Sequence, residues 1–364
     1  MAENGSLVKC SQWAYDTTYF TETLSMKYDI VCDNAYLGTL SGTLRMFGLL
    51  IGSLVFGWLS DIIGRVPTIT LAGLCLFAAQ VVAVFSVNYF MFSLCNMFIA
   101  AGGVGSYIVG FVILFEWLSP DWRSFGSIYS QIPFGIGFLY TIFLGYVTTD
   151  WVTMQWVMAG PNIIFLLLFF LVPESPRWLV SVGKVERARK AIGVAAKSNG
   201  LPVPDYIPVD EANKAESVAE TGIIGLLSHR SLLCRLVVMS LEWIGEISLS
   251  SPQTSPLSLI SVITLCFYGL SFNSGKLELF VGTGLMAGVE CLAYVIILFT
   301  IDIADRRPVL AFCQILGGVS CVAAGFVPEQ LYWVRLGLAL VGKMGASAAF
   351  GVVFLYTGQS EWNH

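Results

Sequence analysis

Glu290 stands inside an apolar stretch, about twelve residues before Asp302. A carboxylate there is costly unless it meets a counter-charge or lines a cavity, so it is a functional candidate by default. It suits two tasks: balancing a bound cation, or closing a structural ion pair. Lys343 and Arg45 are expected to be the other buried charges. Either could partner Glu290, or Lys343 could meet an anionic group on a ligand. The apolar stretches hold no Ser/His/Asp set, HExxH or paired aspartates, so an intramembrane enzyme is the weakest reading. The two histidines are His229 and His364, and the nine cysteines are scattered without a CxxC pair. That excludes zinc-ligand spacing and leaves no expected metal or cofactor.

The elements that hold these charges are set by composition. Of 364 residues, 56% are apolar and 12% charged, against about a quarter charged in soluble domains. Several uncharged runs are about twenty residues long, enough to cross a bilayer core. The expectation is an all-α polytopic membrane protein. Spans fall at 37–60, 67–87, 89–117, 125–147 and 152–172, then at 279–300, 308–327 and 331–356, with an irregular stretch at 231–270. The net charge of -5 includes no basic run suited to nucleic acid.

Charge fixes the orientation. One set of connections carries Arg65, Arg123, Arg306, Arg307 and the cluster Arg177, Lys184, Arg187, Arg189, Lys190 and Lys197; the other set, marked by Asn88, Asp150 and Lys276, carries almost none. The positive-inside rule makes the first set cytoplasmic. The acidic segment 1–36 then lies outside, where the sequon Asn4-Gly5-Ser6 is a glycosylation candidate. No basic-then-apolar leader pattern opens the chain. Cys10 and Cys32 could close a disulfide, worth about 3 kcal/mol, or remain free thiols. The long polar segment 173–230 is cytoplasmic. Ser181–Ser198 reads as a basic amphipathic helix with Val185, Ala188 and Ile192 on one side; a solvated helix on the membrane surface is favoured there over a regulatory site. The Pro- and acid-rich Leu201–Thr221 reads as a linker.

Four stretches carry a resemblance. Gly57-x-Leu59-x-Asp61-x-x-Gly64-Arg65 resembles the loop motif of the major facilitator superfamily. Glu116-Trp117-Leu118-Ser119-Pro120-Asp121-Trp122-Arg123 resembles its next cytoplasmic loop. Pro173-Glu174-Ser175-Pro176-Arg177-Trp178-Leu179 closely resembles the signature after the sixth helix of the organic cation, anion and zwitterion transporters, and the tail from Cys10 to Cys32 is similar to the end of that family's outer loop. The sugar porters share parts of the loop motifs but not the outer-loop pattern.

The resemblance implies two six-helix halves working by alternating access. Against that plan, about nine of twelve helices are expected here. Segment 1–36 would end the outer loop, 37–172 would be helices two to six, 173–230 the cytoplasmic loop, and 231–364 a partial second bundle. The seventh helix is interrupted: Ile244 to Leu265 separates Trp243 from Phe267, with Pro252 and Pro256 among hydroxyl residues. Such a run ends a helix. It is either a broken helix lining a cavity or inserted foreign sequence, and its coincidence with two incomplete ends favours the second.

Site residues follow from the same resemblance. Asp61 would face the N-terminus of the eleventh helix, with Gly57 and Gly64 allowing close packing and a tight turn. Arg65, Glu116 and Arg123 would complete a charge network, mirrored by Asp302 and Arg306 in a degraded second copy, where Asp305 replaces glycine. Ile62 and Val66 replace basic residues usual in the motif, and Asn96 replaces a family arginine. Gln131, Phe134, Trp243 and Phe267 match pocket-lining positions, and aromatic faces can hold quaternary ammonium by cation–π attraction. The implied function is transport of small organic ions, cations favoured over anions or zwitterions such as a carnitine-like molecule. The alternative is a non-transporting truncated isoform or defective gene model. The implied partners are the organic ion and the lipid bilayer, with a plasma-membrane location.

Overall fold

A computed structural model of the chain describes residues 14–15, 17, 20–119, 122–202, 276–300, 306–328 and 331–360. Thirteen α-helices lie in these stretches. After the short α1 (Leu24–Lys27) come α2 (Tyr36–Ile63), α3 (Arg65–Val84), α4 (Tyr89–Trp117), α5 (Arg123–Tyr129), α6 (Ile132–Val147), α7 (Trp151–Ala159) and α8 (Ile164–Leu171). Then follow α9 (Pro176–Ser181), α10 (Val185–Ser198), α11 (Lys276–Thr300), α12 (Arg306–Phe326) and α13 (Tyr332–Ser360). The expected disturbance of the seventh helix and the linker beyond residue 202 lie outside the described residues.

The helices are built inside out relative to a water-soluble bundle. On α2 the buried positions include Ser41, Gly48, Gly52 and Ser60, while Met46, Leu50, Leu54 and Trp58 form an exposed stripe. Lipid gives helices no hydrophobic reason to associate, so small residues mark the contacts and large ones face the acyl chains. Gly48 and Gly52 meet the backbone of Met97 and Ala101 on α4, and Gly102 meets that of Ala72 and Leu76 on α3. A Cβ at any of these would collide with backbone. Gly345 on α13 meets Cys313 and Gly317 on α12 in the same way.

Among the described residues, five segments are long and apolar enough to cross a membrane: Cys32–Ile63, Arg65–Val84, Tyr89–Trp117, Phe125–Val147 and Trp151–Leu171. They match the five spans expected between residues 37 and 172. Gly284–Thr300 and Pro308–Ala324 are shorter apolar stretches. The fourth and fifth spans differ from expectation in being interrupted. Pro133 has no N–H to continue the ladder, and the chain turns at Ser130–Gln131 between α5 and α6. Gly160–Ile163, containing Pro161, forms a 3-10 turn between α7 and α8.

The cap residues separate the two ends of the bundle. At one end Asn88 and Asp150 cap α4 and α7 by accepting from Met91 N–H (2.8 Å) and Thr153 N–H (2.7 Å). The preceding tail docks there too: Thr21 N–H donates to Thr149 C=O at 2.9 Å and the Tyr28 hydroxyl lies 2.7 Å from that of Ser86. The opposite end collects Arg65, Glu116, Glu174 and Trp178. The basic helix expected over Ser181–Ser198 runs from Val185 to Ser198, and a turn with Gly183 at φ +75° separates it from α9. Ala188 and Ala191 of α10 pack on Trp178 and Leu179 of α9, so the apolar side of this basic helix covers protein.

Candidate functional site

The charge cluster at the basic end is built around a glycine. Gly64 joins α2 to α3 at φ +108°, a backbone state that side chains disfavour. A Cβ there would lie 2.5 Å from Glu174 Oε2 and 3.1 Å from the Trp178 ring. The turn leaves the first N–H groups of α3 without helical acceptors. Glu174 supplies them: Oε1 accepts from Arg65 N–H (3.0 Å) and Oε2 from Val66 N–H (3.2 Å), while Ser175 N–H donates to Oε1 at 2.9 Å. Trp178 Nε1–H closes the other side of the turn on Asp61 C=O at 2.9 Å.

Arg65 joins the loops. Its Nη2 donates to Glu116 Oε1 at 2.8 Å and its Nε reaches Glu116 Oε2 at 3.1 Å. Its Nη1 meets Asp61 Oδ1 at 2.7 Å and Ser60 C=O at 2.9 Å. The Glu116 side chain is 5% exposed and that of Asp61 is 73% exposed. The Arg65–Glu116 pair is thus shielded from water and the Arg65–Asp61 pair is largely screened. Arg123 is buried nearby. Partial desolvation and then Arg123 lower the Arg177 guanidinium below its ordinary value, with Glu116 opposing them. Gly57 is placed differently from expectation: among the described residues a Cβ there would meet nothing, so close approach on α2 falls at Gly48 and Gly52 instead.

A second polar group lies where the two halves touch. Gly135 on α6 seats Cys291 of α11, and Ile128 of α5 packs with Tyr294, Ala348 and Val352 of α11 and α13. Beside this contact Glu290 is 6% exposed. Its Oε2 lies 3.2 Å from Lys343 Nζ, and its Oε1 accepts from the Tyr294 hydroxyl at 3.2 Å. Gln131, fixed by the break before Pro133, is 2% exposed and donates from Nε2 to the Tyr107 hydroxyl at 3.0 Å.

The candidates divide plainly. Arg65, Asp61 and Glu116 are bonded together, with Gly64 at the turn; Gln131 and Glu290 are buried near the contact of the halves. Phe134 is 63% exposed. Arg45, expected as a buried charge, is exposed on α2, and Glu290 pairs with Lys343. Cys32 is exposed ahead of α2. Asn4, Cys10, Trp243, Phe267 and Asp302 lie outside the described residues, and Arg306 is described only as the first residue of α12. Among the described residues no group of three or more His, Cys, Asp or Glu is placed to hold a metal. Sequence reasoning misses Glu174, Trp178, Tyr107 and Tyr294 as site residues. Glu174 and Trp178 were visible in the Pro173–Leu179 signature, and Tyr294 one helical turn after Glu290.

Apolar spans with small-residue contacts and charged hinges at one end define a multi-pass membrane protein of the major facilitator fold. Over 94% of its length the chain superposes on 78% of a partially occluded, inward-open xylose transporter XylE from E. coli, with a TM-score of 0.65 at 18% identity. The human organic anion transporter MFSD10 (TETRAN) matches with a TM-score of 0.52 at 14% identity, covering 88% of this chain and 74% of that one. These likenesses concern fold alone. The chain belongs to the family described as "Sugar (and other) transporter", whose profile matches residues 3–358. An "Organic cation transporter protein" of Drosophila melanogaster is 28% identical over 96% of this chain and 63% of its own length. "Organic cation/carnitine transporter 2" of Mus musculus is 28% identical over 95% of this chain and 60% of its own. "Solute carrier family 22 member 16" of Homo sapiens is also 28% identical, over 95% and 59%. The chain spans less than two thirds of the length of these relatives.

Proposed function

We propose that the chain carries small organic ions across the plasma membrane by alternating access, with organic cations as the preferred class, and that it is not an enzyme. The first bundle, residues 37–172, and the partial second bundle, 231–364, rock about the contact between α5–α6 and α11–α13. One observation carries the reading: Glu290 is a buried carboxylate beside that contact. In the structure Lys343 balances it at 3.2 Å; a cation that displaces the part-exposed Lys343 ammonium takes over that charge balance in a low-dielectric site, whereas an anion beside the carboxylate meets repulsion. Gln131 and Tyr107 add neutral hydrogen-bonding groups, and Phe134, with Trp243 and Phe267, supplies aromatic faces for a quaternary ammonium head. Asp61, Gly64, Arg65, Glu116 and Arg123 hold the closed basic end, with Asp302 and Arg306 as the second copy. The names of the relatives, organic cation and organic cation/carnitine transporters, agree with this substrate class.

A second reading rests on the Lys343–Glu290 pair. A zwitterion can replace each partner of that pair in turn, with its ammonium on Glu290 and its carboxylate on Lys343. Uptake of labelled tetraethylammonium, carnitine and para-aminohippurate by expressing cells, with surface delivery confirmed, tests both. Uptake of the first supports cation transport, of the second the zwitterion reading. Uptake of the third alone, or of none, overturns both.

A further inference from the structure

We propose that the cleft between α10 and the basic ends of α2, α3 and α8 binds one anionic phospholipid of the cytoplasmic leaflet. The cleft has a volume of about 490 Å³, within the ordinary range of small-molecule sites, about 300–1,000 Å³. Its floor is apolar: Ile63, Val66, Phe169 and Val172. Its rim carries Lys184, just ahead of α10, and Arg187 and Lys190 on α10. Cations on one side and the ends of membrane spans on the other match a lipid phosphate joined to its acyl chains.

Three further observations fit this occupant. First, the cleft opens beside side chains that face acyl chains, since Phe169, Phe170 and Leu171 at the end of α8 are all exposed. Second, the carboxylate within it, Glu174, is engaged by the N–H groups of Arg65, Val66 and Ser175, so its charge is met by the start of α3. Third, Lys184 is held with its Nζ 5.0 Å from the centre of the Trp178 ring, which places an ammonium at the mouth of the cleft. A hydrated soluble anion would gain nothing from the apolar floor. A helix merely resting on the membrane would present its apolar face to lipid, yet Ala188 and Ala191 are buried against α9. The positive-inside rule places this end of the bundle against the anionic leaflet.

The test uses the full chain, purified in detergent and titrated with phosphatidylglycerol or phosphatidylcholine under native mass spectrometry. One phosphatidylglycerol is expected to bind at least tenfold more tightly than phosphatidylcholine. Arg187→Gln/Lys190→Gln is expected to weaken it roughly twenty-five-fold, from about fivefold for each basic residue at an anionic surface. Arg189→Gln/Lys197→Gln removes the same charge from α10 outside the cleft lining and is expected to change binding by less than about threefold, screening being incomplete over these distances. Equal loss in both pairs would show diffuse attraction and overturn the site, as would equal retention of the two lipids. Inositol hexakisphosphate binding as tightly as phosphatidylglycerol would overturn the lipid in favour of a soluble anion. If the Arg187/Lys190 variant does not purify, Val194→Asp decides: it places a carboxylate at an exposed lining position, and unchanged lipid binding there would refute the proposal.

Discussion

Glu174 Oε1 accepts the backbone N–H of Arg65 at 3.0 Å across 109 positions of sequence. The residue that starts α3 is therefore capped from the far end of the first bundle. This ties the turn at Gly64 to the signature after α8. A carboxylate in this place answers both the unpaired N–H groups and the positive end of the helix dipole. Glu174→Ala is expected to destabilise the detergent-purified chain by about 1–2 kcal/mol, read as a fall in its thermal midpoint. Glu174→Gln keeps an acceptor but loses the charge, and is expected to fall between wild type and Ala.

Arg65→Ala removes the cation from a buried Glu116 and is expected to cost about 3–5 kcal/mol, the usual result of stranding one member of a shielded pair. Arg65→Ala/Glu116→Gln is expected to recover part of that loss. Asp61→Asn is expected to change stability by less than about 1 kcal/mol, because its pair with Arg65 is open to water. Chemical-denaturation midpoints of the four chains measure all three statements, and a cost for Asp61→Asn as large as that for Arg65→Ala would refute the division.

Gly64→Ala and Gly57→Ala are expected to differ sharply. The first forces a side chain into a positive-φ backbone and against Glu174, at a cost of about 1–3 kcal/mol. The second meets open space among the described residues and sits inside a helix, where alanine is preferred by about 1 kcal/mol. Thermal midpoints and surface expression of the pair read the difference.

Glu290→Gln and Lys343→Met separate charge balance from structure. With cations as substrate, Glu290→Gln is expected to reduce tetraethylammonium uptake at least tenfold with surface delivery intact, and Lys343→Met to preserve or raise it. With a zwitterion as substrate, both variants are expected to lose carnitine uptake to a similar degree. Loss of folding in both, rescued in Glu290→Gln/Lys343→Met, would assign the pair a structural role only.

Much of this was open to reading in the linear chain. Apolar runs of span length located the first five membrane crossings, because an α-helix needs about twenty residues to cross the hydrocarbon. Asp61, Gly64, Arg65 and Glu116 were legible as a group because their loops resemble a known pattern. Partners were harder. That Glu290 meets Lys343 rather than Arg45 depends on how α11 faces α13, and one-dimensional hydropathy says nothing of rotation about a helix axis. Gly57 looked like a packing glycine from its motif, yet a Cβ there would touch nothing among the described residues; Gly48 and Gly52, which do touch a neighbour, stand outside the motif. The breaks at Ser130–Gln131 and Gly160–Ile163 were signalled by Pro133 and Pro161, but their apolar surroundings masked the signal. The basic helix was expected from Ser181, and it begins at Val185 because the turn at Gly183 closes the preceding helix first.

The indole bond from Trp178 to the Asp61 carbonyl makes α9 and α10 passengers of the first bundle. Under the proposed alternating-access cycle, spin labels at Lys197 and at Asn88 are expected to keep a constant separation, and a change in that separation on adding substrate would refute the coupling.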